Sequence, residues 1–152
     1  MRSRVGRIVF GFLLVAMLAA GGIGCAKKTS DRSLVFVDPL DAEVLILGKK
    51  KVFGLAGTST AVWVDPRSTA DYRAGHIPGA LHIPFEDVRT DHGRLKGFDV
   101  IIVYGADYNS PVALAASKTL MELGFKDVRT LRGGLRAWEA AGNDVEQGEG
   151  AG

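Results

Sequence analysis

Residues 103–116 read VYGADYNSPVALAA, an apolar run followed by a polar loop and an alanine-rich segment. Such a loop gathers backbone N–H groups at a helix start, where they hold an anion or surround a nucleophile. Between Gly105 and Ser110 the side chains are those of Ala106, Asp107, Tyr108, Asn109 and Ser110, with no cysteine, histidine, lysine or arginine. A phenol with an ordinary pKa near 10 is a poor nucleophile unless a base stands beside it. The Ser110 hydroxyl needs a histidine or lysine for nucleophilic work, and capping the next helix accounts for it equally well. Asp107 puts a negative charge into a cradle suited to anions. It points to a cation or an amine as ligand, or simply to solvent.

Other reactive side chains are scattered. The chain has one cysteine, Cys25, so no internal disulfide forms. Asp65 and Arg67 flank Pro66 at the end of an apolar run, beside the expected mouth of a pocket. His76, His82 and His92 fall in separate segments, and no cysteine or close histidine pair completes a zinc set. Neither metal nor cofactor is expected. Trp63 and Trp138 do not sit in a basic, aromatic-rich surface of the kind that reads nucleic acid.

The elements that would position these groups are readable from residue 61 onward. AVWVD (61–65) is a strand; Ser68 caps a helix over 69–73, with Asp71 completing a capping-box variant, and Gly75 closes it. GHIPGALHIP (75–84) is an ordered loop around a short strand at 80–83, and Glu86 and Asp87 open a weak helix ending near Gly93. DVIIVYG (99–105) is the strongest strand, unbroken in apolar residues from Val100 to Val103, as in the centre of a parallel sheet. Pro111 then starts a helix that runs to about Leu123 and stops at Gly124. KDVRTL (126–131) is another strand, GGLRAWEAAG (133–142) a last helix, and the final ten residues are expected to fray. Earlier, LVFVD (34–38) is a strand that Pro39 breaks, and 40–47 reads as helix or strand with equal ease. Alternating strands and helices with short connections predict an α/β domain: three layers around a mostly parallel sheet of about five strands.

The N-terminus carries its own message. Arg2, Arg4 and Arg7 precede an uncharged run from Ile8 to Ala20, then small residues and Cys25. This is the layout of a secretory signal peptide. It resembles the bacterial lipoprotein signal, in which the cysteine is lipidated and becomes the first mature residue; Gly22 departs from the usual leucine. The alternatives are a retained membrane helix over 8–24 or plain secretion. The resulting division is a signal peptide at 1–24, lipidated Cys25 and tether at 25–33, a domain at 34–146 and a flexible tail at 147–152. Removing three arginines turns the formal charge from +2 to −1, which gives no reason to expect a nucleic-acid partner. The expected location is the bacterial cell envelope, membrane-anchored, with the domain outside the cytoplasm. Lys49–Lys51 form the only tight basic cluster, read as a solvated turn.

VDPRSTADYRAGHIPGALHIPFEDV (64–88), IIVYG before the loop and LMELGFKDVRTLRGGLRAWEAAG (120–142) after it closely resemble rhodanese-like domains, over roughly residues 35–145. The resemblance implies a small α/β domain whose active loop follows the central strand. Active sulfurtransferases of that family place a cysteine where this chain has Gly105. Their loop tends to offer a glycine, an arginine and a serine or threonine where this chain has Tyr108, Ser110 and Pro111. Their thiolate takes sulfane sulfur as a persulfide, stabilised by loop N–H groups and a cation. The resemblance also implies structural roles for Asp65, Arg67 and His76. Retention of that scaffold beside loss of the cysteine points to a non-catalytic module that binds a protein or small ligand through residues 105–110, with no catalytic residue; its oligomeric state is open, a monomer being favoured. The alternatives are a weak or divergent sulfurtransferase, a hydrolase using Asp107 or Ser110, and a purely structural envelope protein.

Overall fold

A computed structural model describes residues 29–47 and 60–150. The expected signal peptide, Cys25, residues 26–28 of the tether and Lys49–Lys51 lie outside the described residues. After a short 3-10 turn at Asp31–Ser33 the elements are β1 (Val35–Val37), α1 (Pro39–Ile46), β2 (Ala61–Asp65), α2 (Thr69–Ala74) and β3 (Leu81–His82). They continue with α3 (Val88–Asp91), β4 (Val100–Val103), α4 (Pro111–Glu122), β5 (Val128–Leu131) and α5 (Gly134–Ala140). Among the described residues no helix is long and apolar enough to cross a membrane.

The five strands form one sheet in the order β1-β5-β4-β2-β3, and all four pairings are parallel. All four residues of β4 are buried, which explains its uninterrupted apolar run: both faces of the central strand are covered. Alternation along β2 and β4 then builds two cores. Trp63, Val100, Ile102 and Tyr104 face one side, with Ala42 of α1, Tyr72 of α2 and Leu135 and Trp138 of α5. Val62, Val64, Ile101 and Val103 face the other, with Val88 of α3 and Ala113, Ala116 and Leu120 of α4. Helices on both faces of a parallel sheet are the three layers expected from the sequence.

The segment with two readings, 40–47, is a helix. Pro39 occupies its first turn, where a missing N–H costs nothing. Ser68 caps α2 by accepting from the Asp71 N–H at 3.1 Å, while its own hydroxyl donates to the Asp71 carboxylate at 2.6 Å. The weak helix after Pro84 is broken into a 3-10 turn, one turn of α3 and a second 3-10 turn ending at Leu95.

The frayed tail is a correction. His76 and Glu146 exchange backbone hydrogen bonds at 2.8 and 2.9 Å as an antiparallel bridge, and the Gly148 N–H donates to the Arg73 carbonyl at 2.9 Å. The Trp138 indole N–H donates to the Asp144 carbonyl at 2.8 Å, and Arg73 meets Glu149 at 2.6 Å. Composition alone suggested a solvated end; what holds it is backbone pairing to the GHIPGA loop, which side-chain types do not announce.

Candidate functional site

β4 and β5 are neighbours, yet the helices that follow them pack on opposite faces of the sheet, α4 with one core and α5 with the other. At such a switch point the two connections diverge and leave a crevice beyond the strands' C-terminal ends. Residues 105–110 occupy that place. A cavity of about 220 Å³ lies there, lined on the loop side by Gly105, Asp107, Tyr108 and Ser110. Phe36, Leu114, Thr130 and Arg132 help to close it.

The loop is fixed by α5. The Leu135 N–H donates to the Gly105 carbonyl at 2.8 Å, and the Arg136 N–H to the Ala106 carbonyl at 3.0 Å. This approach requires Gly133 and Gly134, with φ of 75° and 57°. A Cβ on Gly134 would run into the Gly105 carbonyl group and come within 2.9 Å of the Asp107 nitrogen. On Gly133 it would meet the Tyr108 ring at 2.7 Å, so that ring lies over the glycine while remaining 69% exposed. Glycine is therefore a packing requirement at both positions.

Ser110 is at the N-cap position of α4, but its hydroxyl makes no cap bond, contrary to the expected role. Its side chain is turned toward Gly105. A Cβ built on Gly105 would collide with both the Oγ and the Cβ of Ser110 and would lie 3.2 Å from the Ala113 Cβ. The room in which a residue-105 side chain would begin is already filled. The Asp107 carboxylate turns inward along its own loop: the Asn109 N–H donates to Oδ1 at 2.9 Å, and the Ser110 N–H to the Asp107 carbonyl at 3.4 Å. Asp107 thus supplies an internal anion to part of the cradle. N–H groups already engaged in this way offer less to an external anion.

One cation of the cavity escaped the sequence reading. Arg132 lines it, directly after β5, and pairs with Asp38 at 2.9 Å while lying over the Phe36 ring at 5.5 Å. The signal was available: a residue following a predicted parallel strand belongs at the same end of the sheet as Gly105. Among the described residues the Arg132 charge is met by Asp38, and the Asp107 carboxylate has no ion-pair partner.

Asp65 and Arg67 do not line this cavity. Both are buried, and Arg67 grips the Asp65 carboxylate through Nε at 2.9 Å and a terminal nitrogen at 2.6 Å while also donating to the Gly75 carbonyl at 2.7 Å. Burial works against the Arg67 charge, and the Asp65 carboxylate more than offsets it, leaving the guanidinium pKa raised. Burial and then the Asp65 charge also push the Tyr104 phenol well above the tyrosine range. Its hydroxyl oxygen accepts from the Ile77 N–H at 3.1 Å. His76 donates from Nδ1 to the Tyr72 carbonyl at 2.9 Å, and its ring stacks on that of Tyr72 at 3.9 Å. His82 stacks on the other side at 4.4 Å. These groups fix the GHIPGA loop, and among the described residues none of their side-chain hydrogen bonds reaches residues 105–110. Among the described residues no cluster of His, Cys, Asp and Glu could hold a metal ion.

The Rhodanese-like domain family matches residues 50–141. The Mycobacterium tuberculosis protein SseB is 32% identical over 106 residues, covering 56% of this chain and 37% of SseB. The chain thus spans little more than a third of the length of the first curated relatives it matches. The thiosulfate sulfurtransferase GlpE of Pseudoalteromonas translucida is 37% identical over 81 residues, covering 53% of this chain and 74% of that protein. The BH2092 protein of Bacillus halodurans superposes with a TM-score of 0.62 at 27% identity, covering 76% of this chain and 79% of its own. A thiosulfate sulfurtransferase from Pseudomonas aeruginosa superposes at 0.64 with 21% identity, over 79% of this chain and 21% of its own, a likeness of fold alone.

Proposed function

The chain belongs to the rhodanese-like domain family, and from that premise we propose that it is a non-catalytic binding module held at the bacterial cell envelope by a lipid on Cys25. One observation carries the loss of catalysis. Gly105 stands where a nucleophilic cysteine would be needed, and the Ser110 side chain fills the space into which such a residue would project. Among the described residues Tyr108 lies over Gly133, Ser110 faces the Gly105 backbone, and neither hydroxyl is hydrogen-bonded to a histidine or lysine.

What remains is a lined cavity with an exposed aromatic side chain at its edge. Tyr108 offers the large amphipathic surface that anchors protein contacts. Asp107 disfavours an anion, so the ligand is a neutral or cationic group, most simply a segment of another envelope protein. Envelope anchoring is supported by the sequence alone, through the basic start, the apolar run and Cys25.

A second reading has support in the open cavity and in the relatives named as thiosulfate sulfurtransferases: sulfur transfer through a thiol borrowed from a partner. The two readings separate in one experiment. Purified protein is assayed for sulfane sulfur transfer from thiosulfate to cyanide, with and without an added small thiol or dithiol. The binding-module reading expects no rate above the matching blank in either case. A rate proportional to protein that appears only with added thiol supports the borrowed-thiol reading, and a rate without thiol defeats both.

A further inference from the structure

The cavity at residues 105–110 measures about 220 Å³, below the roughly 300–1,000 Å³ of clefts that take whole small molecules. One side chain fits it better than a metabolite does. Its polar groups are few and mostly engaged. The Thr130 hydroxyl is bonded to that of Ser117 at 2.8 Å, the Ser110 side chain stands against Gly105, and the Arg132 guanidinium meets Asp38 at 2.9 Å. Asp107 has no ion-pair partner among the described residues, and the Asn109 N–H takes only its Oδ1.

We infer that the cavity takes a lysine side chain from a basic segment of a partner protein, an inference that rests on the binding-module reading above. The carboxylate calls for a cation, and its geometry calls for a compact one. With Oδ1 already accepting from Asn109, Asp107 offers one free oxygen to a point charge rather than two to the fork of an arginine. The walls suit the rest of the side chain. Leu114 and Leu131 give apolar surface for the methylene stem. Tyr108, packed over Gly133 yet 69% exposed, and Phe36 give aromatic surface, which attracts a cation. Phe36 already holds one, the Arg132 guanidinium at 5.5 Å from its ring centre.

Charge next to the cavity extends the match from one side chain to a segment. Phe36 also lines a second hollow of about 310 Å³, together with Asp38, Asp41 and Arg129. The arginines of the two hollows are each held by an acid, Arg132 by Asp38 at 2.9 Å and Arg129 by Asp127 at 2.8 Å. Asp41, like Asp107, has no ion-pair partner among the described residues. Each hollow thus carries one unmatched carboxylate, and Phe36 is common to both. Residues 29–47 as a whole hold four acids against Arg32 alone. A partner segment with one lysine for Asp107 and another for Asp41 complements this surface, and an acidic segment is repelled by it.

The test titrates the isotope-labelled full chain, in a nonionic detergent, with the end-blocked peptide Gly-Lys-Gly-Lys-Gly. Counterpart peptides carry acetyl-lysine, arginine or glutamate in place of both lysines. The lysine peptide is expected to give saturable shifts at the amides of residues 105–110, Phe36 and Arg132. It should bind at least about fivefold more tightly than the acetyl-lysine peptide, and less tightly in high salt. Asp107→Asn should abolish that preference and Tyr108→Leu should weaken binding, whereas Tyr108→Phe and the exposed, remote Glu86→Gln should leave it unchanged. Asp41→Asn should weaken binding of this peptide but not of one with a single lysine. Equal binding of the lysine and acetyl-lysine peptides overturns the inference, as does the absence of any response. Tighter binding of the arginine or glutamate peptide overturns it too, as do shifts that Asp107→Asn leaves unchanged. So does binding that appears only once Lys49–Lys51 are replaced by serine, which would put the chain's own lysines in the hollows. The same sample is assayed for sulfane sulfur transfer. Transfer would defeat the binding-module reading by itself, while loss of lysine selectivity without transfer would overturn the inference and leave that reading standing.

Discussion

Replacing Gly105 by alanine adds one methyl group at the point where the loop leaves β4, and the structure says where that methyl goes. It would overlap the Oγ and Cβ of Ser110 and press on the Ala113 Cβ at 3.2 Å. A hydroxyl could swing aside, but the Ser110 Cβ moves only with its backbone, and that backbone begins α4 after Asp107 has bonded Asn109 and Ser110. Overpacking of this kind costs about 1–3 kcal/mol. Ser110→Gly, which removes the obstructing atoms, should by itself cost only a few tenths of a kcal/mol at an N-cap, here the more so because no cap bond is lost. The double variant should recover most of the loss, giving a favourable coupling of about 1–2 kcal/mol in a double-mutant cycle. Urea unfolding followed by the emission of buried Trp63 and Trp138 measures all four proteins. Strict additivity, or a Gly105→Ala protein as stable as the parent, would refute the steric argument. The same logic governs repair. Gly105→Cys alone should restore no sulfur transfer, and in Gly105→Cys with Ser110→Gly the nearby Asp107 carboxylate should keep the new thiol pKa at or above about 8.5. Alkylation rates against pH would expose a lower value.

Other consequences can be checked in the same way. Arg67→Ala leaves the Asp65 carboxylate buried without its partner and should cost about 3–5 kcal/mol in urea unfolding; Arg67→Lys should rescue little, because one ammonium cannot reproduce the forked contact. The folded state holds the Tyr104 proton more tightly than the unfolded chain does, so that contribution to stability is complete below about pH 10 and is lost as pH rises beyond it. Tyr104→Phe should therefore be less stable at neutral pH, where the Ile77 N–H loses its acceptor, yet decline less steeply above pH 10. Truncation after Asp144 removes the bridge to His76 and the packing of Val145 against the core, and should cost about 1–3 kcal/mol while leaving the secondary structure intact by circular dichroism. Metabolic labelling with a fatty-acid analogue should mark the protein, and Cys25→Ser should abolish the mark; an unlabelled, soluble wild-type protein would contradict the anchor.

Much of the fold could be read from periodicity and punctuation. β4 announced itself because a strand covered on both faces has no polar alternation, and α2 because Ser68 and Asp71 stand at capping distance. α1 resisted for the opposite reason: with Ala42, Leu45 and Ile46 inside and Leu40, Val44 and Leu47 outside, its pattern has no polar face to set a period. The missing nucleophile at 105 is plain in sequence, and so is the position of Ser110 at a helix start. That the Ser110 side chain points back to Gly105 is a matter of χ angle and loop path, which residue types do not encode. Arg132 is distant in sequence from Asp107 and joins it through the parallel pairing of β4 with β5, so its place directly after a predicted strand is the one mark it carries in the sequence. The docked tail was hidden because its strongest bonds belong to the backbone.

The central claim is that the Asp107 carboxylate, which already accepts from the Asn109 N–H, keeps an outside anion from the loop at residues 105–110. Titration of the protein with thiosulfate and with phosphate, followed through the amide chemical shifts of residues 105–112, tests it directly. The account predicts no saturable response in the wild-type loop at millimolar anion, and a response emerging in Asp107→Asn, where the internal charge is gone. Tight, saturable shifts in the wild type, unchanged by Asp107→Asn, would contradict it.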